Sequence, residues 1–589
     1  MSEPRRLGVY VCHCGGNISD YVDVDKVVAE LQSDPDVVVA KTAMFTCSDA
    51  SQQEIIQDVL ENKLDGIVVA SCSPKLHTFT FREVAKRAGL SPYQYTQVNI
   101  REQCSWAHTD DCAGATLKAL RLVKAGVGRT RLTVPLEPIV VETVPKAVVI
   151  GGGVAGLRAA LALAEIGIAV FLVEKEDHLG GWVARFGEMY PKGRNGLELV
   201  KGLEEKVRSH SDITVFTGAE VVSKAGSFGN YEVQIRVDRE TGETVTVQAG
   251  SVVVATGFEA YPVSEGEFGY GLPGVVTLPE FKELLDAGAS TDGPLTYQGK
   301  PVENIVYIYC VGSRQDPSEV EGAHEYCSRY CCTAAVHAAV EAANKPGRVH
   351  QFHLHRDVRT YGKYELLYGE AADKGSIFVK VPDDEPPVVQ TDPETGALLV
   401  TTRDLLAGGE TVEIPADLVV LITGMVPRAN DELTRALKLP ISKSGFYNEI
   451  HPKLRPVETV VDGVYICGTC QQPMSSSEAL ASALAAVTQS AAILKRGFAE
   501  LDPLVALVDP EKCTWCGGCA QVCPYGAPQQ VAFDGKQVAV IDKTACKGCG
   551  GCVPACPQSA IDLEGYTDAQ IKAMIDGLLT EGSLEEVAV

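Results

Sequence analysis

Two short runs near the C-terminus carry the most specific chemistry in the chain. CTWCGGCAQVCP and CKGCGGCVPACP each read C-x2-C-x2-C-x3-C-P, the spacing with which bacterial ferredoxins hold a pair of [4Fe–4S] clusters. In that pattern the fourth cysteine of each run serves the other cluster. The expected ligand sets are therefore Cys513, Cys516, Cys519 and Cys556 for one cluster, and Cys546, Cys549, Cys552 and Cys523 for its mate. Zinc is the competing metal and a poor match to this spacing.

The remaining cysteines fall in separate groups: of twenty in all, six precede residue 113, four lie between Cys310 and Cys332, and two are Cys467 and Cys470. Cys310, Cys327, Cys331 and Cys332 offer four thiolates, and adjacent cysteines suit iron–sulfur ligation better than a zinc knuckle with paired C-x2-C spacing. Buried structural thiols are the other reading. Cys12, Cys47, Cys72 and Cys104 each fall at or just past the end of a short Val-rich segment, with Cys14 close by. If those segments are parallel strands, the thiols share the carboxyl edge, where such sheets place ligands. A cluster and a set of core or redox thiols both remain open there, as does the choice between Cys14 and one of the four. Cys112 reads as structural. Cys467-Gly-Thr-Cys470 has redox-pair spacing, but it overlaps a turn that a cofactor needs, so a packing role is expected. Histidines 13, 77, 108, 353 and 355 read as hydrogen-bonded loop or core residues.

A third signal is KAVVIGGGVAGLRAALALAEIGIAVFLVEKE. A Val/Ile strand runs into Gly151-x-Gly153-x-x-Gly156, a helix rich in Ala and Leu, a second strand, and then Glu174 and Lys175. Gly151 permits a tight turn, Gly153 lets backbone approach a pyrophosphate, and Gly156 allows close helix–strand packing. Val154 and Ala155 open the helix, and Glu174 stands where a carboxylate binds ribose hydroxyls. FAD is preferred over NAD because Leu179-Gly180-Gly181-Trp182, Ala255-Thr256-Gly257 and GVYICGT, with Gly468 and Thr469, recur at the distances of thioredoxin-reductase-like flavoproteins. A pyridine-nucleotide reductase of that class also needs a second glycine-rich turn. Here the corresponding strand is NIVYIYCVGSR, with no such triplet.

The elements that must position these groups follow from the rest of the pattern. LGVYVC, DVVVAKTAMFTC, DGIVVASC and YQYTQVNIREQC alternate with helical stretches such as DASQQEIIQDVLENKL, a parallel α/β pattern. The expected domains are an N-terminal α/β iron–sulfur domain (1–140), a FAD-binding α/β domain (141–498), a two-cluster ferredoxin domain (499–565) and a C-terminal docking helix and tail (566–589). In the tail, Thr567 and Gln570 make a capping-box spacing, and Ile571, Ile575, Leu578 and Leu579 share one helical face. A net charge of −25 disfavours a phosphate backbone or an anionic membrane as partner. The N-terminus lacks a signal-peptide core, and residues 148–173 are interrupted by glycines, Arg158 and Glu165, so a cytoplasmic protein without an integral membrane segment is expected.

Together, CHCGGNISDYVDV, FTCSDASQ, VVASCSPKLH, NIREQCSW, VIGGGVAGLRAAL, EYCSRYCC, RTYGKYE and the two ferredoxin runs resemble the A-type subunits of heterodisulfide reductase and their relatives over essentially the whole chain. The resemblance implies a thioredoxin-reductase-like FAD domain with its own cluster, flanked by an N-terminal cluster domain and a C-terminal ferredoxin domain. One FAD and four [4Fe–4S] clusters follow. Larger members carry an inserted ferredoxin domain that this chain lacks. The resemblance further implies electron bifurcation at the flavin and a basic residue near its N5, matched by Lys363. It implies partners as well: heterodisulfide-reductase B and C type subunits, a hydrogenase, formate dehydrogenase or NADH-oxidising module, and ferredoxin. The assembly would be hetero-oligomeric and could be dimeric through this chain. A relay of electrons without bifurcation is the competing function.

Hydride transfer demands a nicotinamide held against the isoalloxazine, and no second glycine-rich turn is present to hold it. The purified, partner-free chain should not be reduced by NADH or NADPH at a useful rate. Anaerobic stopped-flow mixing checks this, and rapid bleaching of the flavin band would overturn it.

Overall fold

The computed structural model describes residues 5–191, 193–287 and 293–579. The chain divides into two compact units, one made of residues 1–141 with 500–589 and the other of residues 142–499.

The first unit begins with a parallel sheet of four strands, β1 (Leu7–Cys12), β2 (Val37–Ala43), β3 (Gly66–Ser71) and β4 (Tyr95–Asn99), in the order β2-β1-β3-β4. Every residue of β1 and β3 is buried, as a sheet covered on both faces requires. Helices α1 (Val24–Leu31) and α4 (Cys112–Arg131) pack on one face, α2 (Asp49–Asn62) and α3 (Pro74–Arg87) on the other. Ser48 and Ser73 cap α2 and α3 by accepting the backbone N–H groups of Ser51 and Lys75. Each of these caps directly follows a cysteine, so Cys47 and Cys72 stand at helix N-termini, where the partial positive charge favours a thiolate.

The same unit contains the ferredoxin segment. Ala506–Val508 pairs antiparallel with Ile561–Leu563, and a hairpin joins Pro528–Phe533 to Lys536–Ile541. Its core is small residues and cysteines: Ala506, Ala527, Val538 and Ala560 pack with Cys513 and Cys519. Beyond it, Thr567 and Gln570 form the expected reciprocal cap, with Thr567 N–H to Gln570 Oε1 at 2.9 Å and Gln570 N–H to Thr567 Oγ1 at 3.3 Å. The helix they start, Asp568–Leu579, lies along α4.

It does so on a different face from the one its apolar pattern suggests. Gln570 is buried and donates to the Leu132 carbonyl at 3.2 Å. A Cβ at Gly128 would come within 2.5 Å of the Ala573 carbonyl oxygen, and one at Gly577 within 2.7 Å of that of Lys124. Small residues thus let the two backbones meet, while Ile571, Ile575, Leu578 and Leu579 face outward and are exposed. Arg129 joins the segment to α4 by donating to the Gly565 carbonyl at 3.0 Å and stacking over Tyr566 at 4.1 Å.

The second unit repeats one plan twice. In the first lobe, β5 (Lys146–Ile150) is the central strand of a five-stranded parallel sheet that also holds Ala169–Val173, Ile213–Phe216, Ser251–Val254 and Val464–Ile466. In the second, β6 (Asn304–Val311) is central among His350–His355, Ser376–Lys380, Leu418–Thr423 and Val275–Thr277, again all parallel. Each lobe adds a three-stranded antiparallel meander. The helix Ser476–Arg496 has the length and composition of a membrane span. Its Ala479, Ala483, Ala486 and Leu494 are nonetheless buried in the first lobe's core with Leu157, Leu161 and Ala164 of the helix that follows β5.

Candidate functional site

In the first lobe, β5 ends at Gly151, whose φ of +108° is open to glycine and costly for other residues. A Cβ there would lie 2.3 Å from the Ala255 carbonyl oxygen, and one at Gly156 would lie 1.8 Å from that of Gly151. These two glycines are therefore required by packing. Gly153 differs: it caps α5 (Val154–Glu165) with no side chain, and a Cβ on it would meet nothing within 4 Å. The space beyond it belongs to a cavity of about 570 Å³. An open space at a helix N-terminus, bordered by backbone N–H groups, is a cradle for a pyrophosphate.

The cavity wall contains Gly151, Gly153, Val154 and Ala155 at this end, with Glu174 and Lys175 after the second strand. Gly181 and Trp182, then Ala255, Thr256 and Gly257, and finally Thr469 continue it. Gly468 stands behind the wall at φ +72°, close against Ala155. Glu174 accepts from the Gly152 N–H and, at 2.9 Å, from that of Glu176, which orients its carboxylate toward the turn. Trp182 is held by stacking on Phe258 and by its indole N–H, which donates to the Phe258 carbonyl at 3.0 Å. These residues fit an extended dinucleotide, and FAD would lie along them with its pyrophosphate at α5.

The far end of the cavity is formed by the second lobe. Tyr330, Cys331, Ala334, His337 and Ala338 from α6 (Cys331–Ala343) and its approach line it, with Tyr364 and Lys282. Lys282 is nearly buried and donates to both Glu341 oxygens at 2.6 Å, with Asp286 at 3.2 Å. Burial, helped by the Lys282 charge, holds His337 down to about 4, so its ring is neutral at neutral pH. Lys363, expected near the flavin, lies in the exposed turn Gly362–Tyr364 and is not part of the wall. The turn sends Tyr364 inward and leaves the lysine in solvent. Lys282 is the cation that sequence reasoning missed; it lies on an ordinary amphipathic helix, Leu278–Ala287, and only its half-buried carboxylate partners mark it.

Cys331 stands in this wall and the other three thiols lie behind it. Cys310, the penultimate residue of β6, has φ +63°, Cys327 accepts the Arg329 N–H at 3.3 Å, and Cys331 and Cys332 begin α6. The electrostatic influence of Cys332, Cys310 and Cys327 all reaches Cys331, whose hydrogen bond to Cys332 pushes it up and Cys332 down. In the ferredoxin segment, Cys513, Cys516, Cys519 and Cys556 line one small cavity, so a cysteine of the second run joins three of the first. Cys552 feels Cys546 and Cys549. Backbone N–H groups of Ala539, Ala506 and Ala560 reach Cys513, Cys546 and Cys556 at 3.3, 3.5 and 3.3 Å.

In the N-terminal sheet, Cys12 accepts the N–H groups of Cys14 at 3.3 Å and Thr46 at 3.4 Å, and Arg101 donates to the Cys14 sulfur at 3.4 Å. Cys14 takes φ +54° in the turn after β1. Burial raises Cys47 and Cys72, and the charges of Cys12 and Cys14 act on both. Cys104 is enclosed by apolar core, and beyond burial only Lys118 acts on it. Cys14 thus stands with Cys12, and both act on Cys47 and Cys72, while Cys104 lies in the core cluster that also holds Cys12. Among the described residues no three ligand-type side chains meet at one point as a single metal ion requires. A cubane spreads its four thiolates over four irons, which suits these wider sets. Cys467 and Cys470 are buried, and the Cys470 thiol donates to the Cys467 and Val254 carbonyls at 3.1 and 3.4 Å, a packing role. Cys112 lies exposed in the first turn of α4.

Residues 145–306 match the family model for pyridine nucleotide-disulphide oxidoreductases, and residues 506–563 that for a 4Fe-4S dicluster domain. The first match ends inside β6, before Cys310. The chain is 36% identical to an iron-sulfur A-type subunit of the CoB-CoM heterodisulfide reductase of Methanopyrus kandleri, over 91% of this chain and 93% of that one. It is 34% identical to the A-type subunit of the H(2):CoB-CoM heterodisulfide,ferredoxin reductase of Methanothermobacter thermautotrophicus, over 90% and 91%. Among solved structures, T. acidophilum thioredoxin reductase aligns at 17% identity and a TM-score of 0.40, over 59% of this chain and 99% of that one.

Because a Cβ at Gly153 meets no protein atom, Gly153→Val should leave the fold and the iron content intact while lowering FAD retention roughly tenfold or more, ~1.4 kcal/mol. Flavin absorbance against iron content in the purified variant measures it. Normal flavin content would refute the placement of the pyrophosphate.

Proposed function

Since the chain belongs to the family of heterodisulfide reductase A-type subunits, and is an oxidoreductase with a 4Fe-4S dicluster domain, we propose that it is the electron-distributing component of a cytoplasmic heterodisulfide-reductase-like complex. It would hold one FAD and four [4Fe–4S] clusters. A two-electron donor module would feed it, and electrons would leave singly toward ferredoxin and toward a disulfide-type acceptor on B and C type subunits. A hydrogenase, formate dehydrogenase or NADH-oxidising module suits the donor role.

The observation that carries this reading is Cys331 in the wall of the flavin cavity with Cys310, Cys327 and Cys332 directly behind it. FAD supplies the exchange between paired and single electrons. This chain's part is to hold it by the α5 N-terminus and the carboxylate of Glu174, to exclude water with Trp182, Tyr330 and Tyr364, and to set a one-electron acceptor at the cavity's edge. Lys282, paired with the carboxylates of Glu341 and Asp286, keeps a cation at that end. For the N-terminal cluster the ligand set is Cys12, Cys47 and Cys72, with Cys14 supplying the fourth thiolate.

The complex purified with its native partners tests bifurcation directly. Ferredoxin reduction should require the disulfide-type acceptor to be present and turning over, with the two products formed in step. Ferredoxin reduction at full rate without that acceptor would identify a simple relay.

A further inference from the structure

The carboxyl edge of the N-terminal sheet carries large apolar side chains that packing leaves in solvent. Met44 and Phe45 follow β2, and Trp106 caps the turn Arg101–Ser105 after β4. They are 57%, 46% and 52% exposed. The loop after β1 joins them across the edge. Phe45 lies against Gly15, where a Cβ would come within 2.8 Å of its ring. Cys14 precedes that glycine, and its sulfur accepts from the Arg101 guanidinium at 3.4 Å. Glu102 holds the guanidinium at 2.8 Å, and it stacks over the Trp106 ring at 4.5 Å. One guanidinium therefore separates a thiol from an exposed indole.

The ferredoxin segment is held at the opposite end of this sheet. Arg129, which donates to the Gly565 carbonyl, also donates to Thr96 Oγ1 at 3.0 Å, near the start of β4. The Leu132 carbonyl, just past α4, accepts from Gln570. Charge sets the carboxyl edge apart as well. Residues 13–17, 44–48, 72–78 and 100–108 surround the thiols, and Lys75, Arg101 and Glu102 are the only Lys, Arg, Asp or Glu among them. Arg101 and Glu102 pair with each other. A chain of net charge −25 meets another acidic protein without repulsion only where its own carboxylates are few. A diffusing carrier is steered by opposite charge, which this edge lacks. A resident subunit is held instead by aromatic, Met and other apolar contacts.

Resting on the N-terminal cluster proposed above, we infer that this edge docks a resident subunit of the complex that carries an iron–sulfur centre of its own, and that electrons cross beside the Arg101–Trp106 stack. Each crossing moves one electron: the centre that gives it is oxidised and the other is reduced. No bond changes and no proton moves.

The test is hydroxyl-radical labelling read by mass spectrometry, on the full chain alone and on the complex purified anaerobically with its native partners. Met44, Phe45 and Trp106 should be labelled in the chain alone and protected in the complex. Met44→Glu should keep this chain's FAD and iron and weaken binding of one iron-containing subunit roughly tenfold or more, ~1.4 kcal/mol, while Met44→Leu should bind it normally. Protection already present in the chain alone would assign the face to the chain's own remainder or to a second copy, and would overturn the inference. Unchanged binding of every subunit in Met44→Glu, or loss of a subunit that holds no iron, would also overturn it. Cys12→Ser with full iron content and unchanged electron paramagnetic resonance would instead overturn the N-terminal cluster assignment, and with it the electron crossing, whatever docks on the edge.

Discussion

A parallel sheet releases its chain at the carboxyl edge, and the first crossover from the central strand decides what that edge can hold. The two lobes of residues 142–499 share this plan and differ at that one crossover. After β5 the chain turns at Gly151 and enters α5 three residues later, leaving open space over Gly153. After β6 it turns at Cys310, runs through a loop that carries Cys327, and enters α6 at Cys331 and Cys332. A phosphate cradle needs backbone without side chains, whereas the second crossover is filled with thiols. The same fold therefore offers a dinucleotide cradle in one lobe and a group of four thiols in the other, of which Cys331 faces the same cavity.

The same edge logic explains the N-terminal sheet. Cys12, Cys47 and Cys72 follow successive parallel strands, and two of them directly precede helix caps. Buried thiols are costly to ionise, and burial is the first cause that raises Cys47 and Cys72. Helix N-termini, backbone N–H groups and Arg101 oppose that cost, and metal coordination removes it outright by deprotonating the thiol. In the ferredoxin segment backbone N–H groups of Ala506, Ala539 and Ala560 do this.

Much of this was legible in the sequence wherever spacing alone fixes geometry. The ferredoxin runs predicted that Cys556 joins Cys513, Cys516 and Cys519, and these four line one cavity. Gly151, Gly153 and Gly156 were assigned three distinct roles, and their surroundings differ accordingly. Where Cys14 stands relative to Cys12, Cys47, Cys72 and Cys104 is not legible in the spacing, because it turns on a left-handed residue in the loop after β1; the glycine pair in CHCGG is the available signal. Lys363 in its turn and Lys282 on its helix illustrate the same limit, since which side chain reaches a cavity is set by tertiary packing. The tail helix forms, caps and docks as its sequence implies, but the face it packs with was hidden for another reason. Its apolar stripe marks a face suited to burial, yet the packed face is the one where Gly577 and Ala573 allow close backbone approach to α4.

The central claim is that one cavity brings a flavin up against an iron–sulfur cluster held at the second crossover. Diffraction data collected at the iron edge from anaerobically grown crystals of the full chain measure this most directly. The account predicts an iron peak enclosed by Cys310, Cys327, Cys331 and Cys332, immediately beside flavin density that runs from Gly153 to Cys331. Iron absent from those four sulfurs, or a second dinucleotide bound at the β6 crossover, would contradict it.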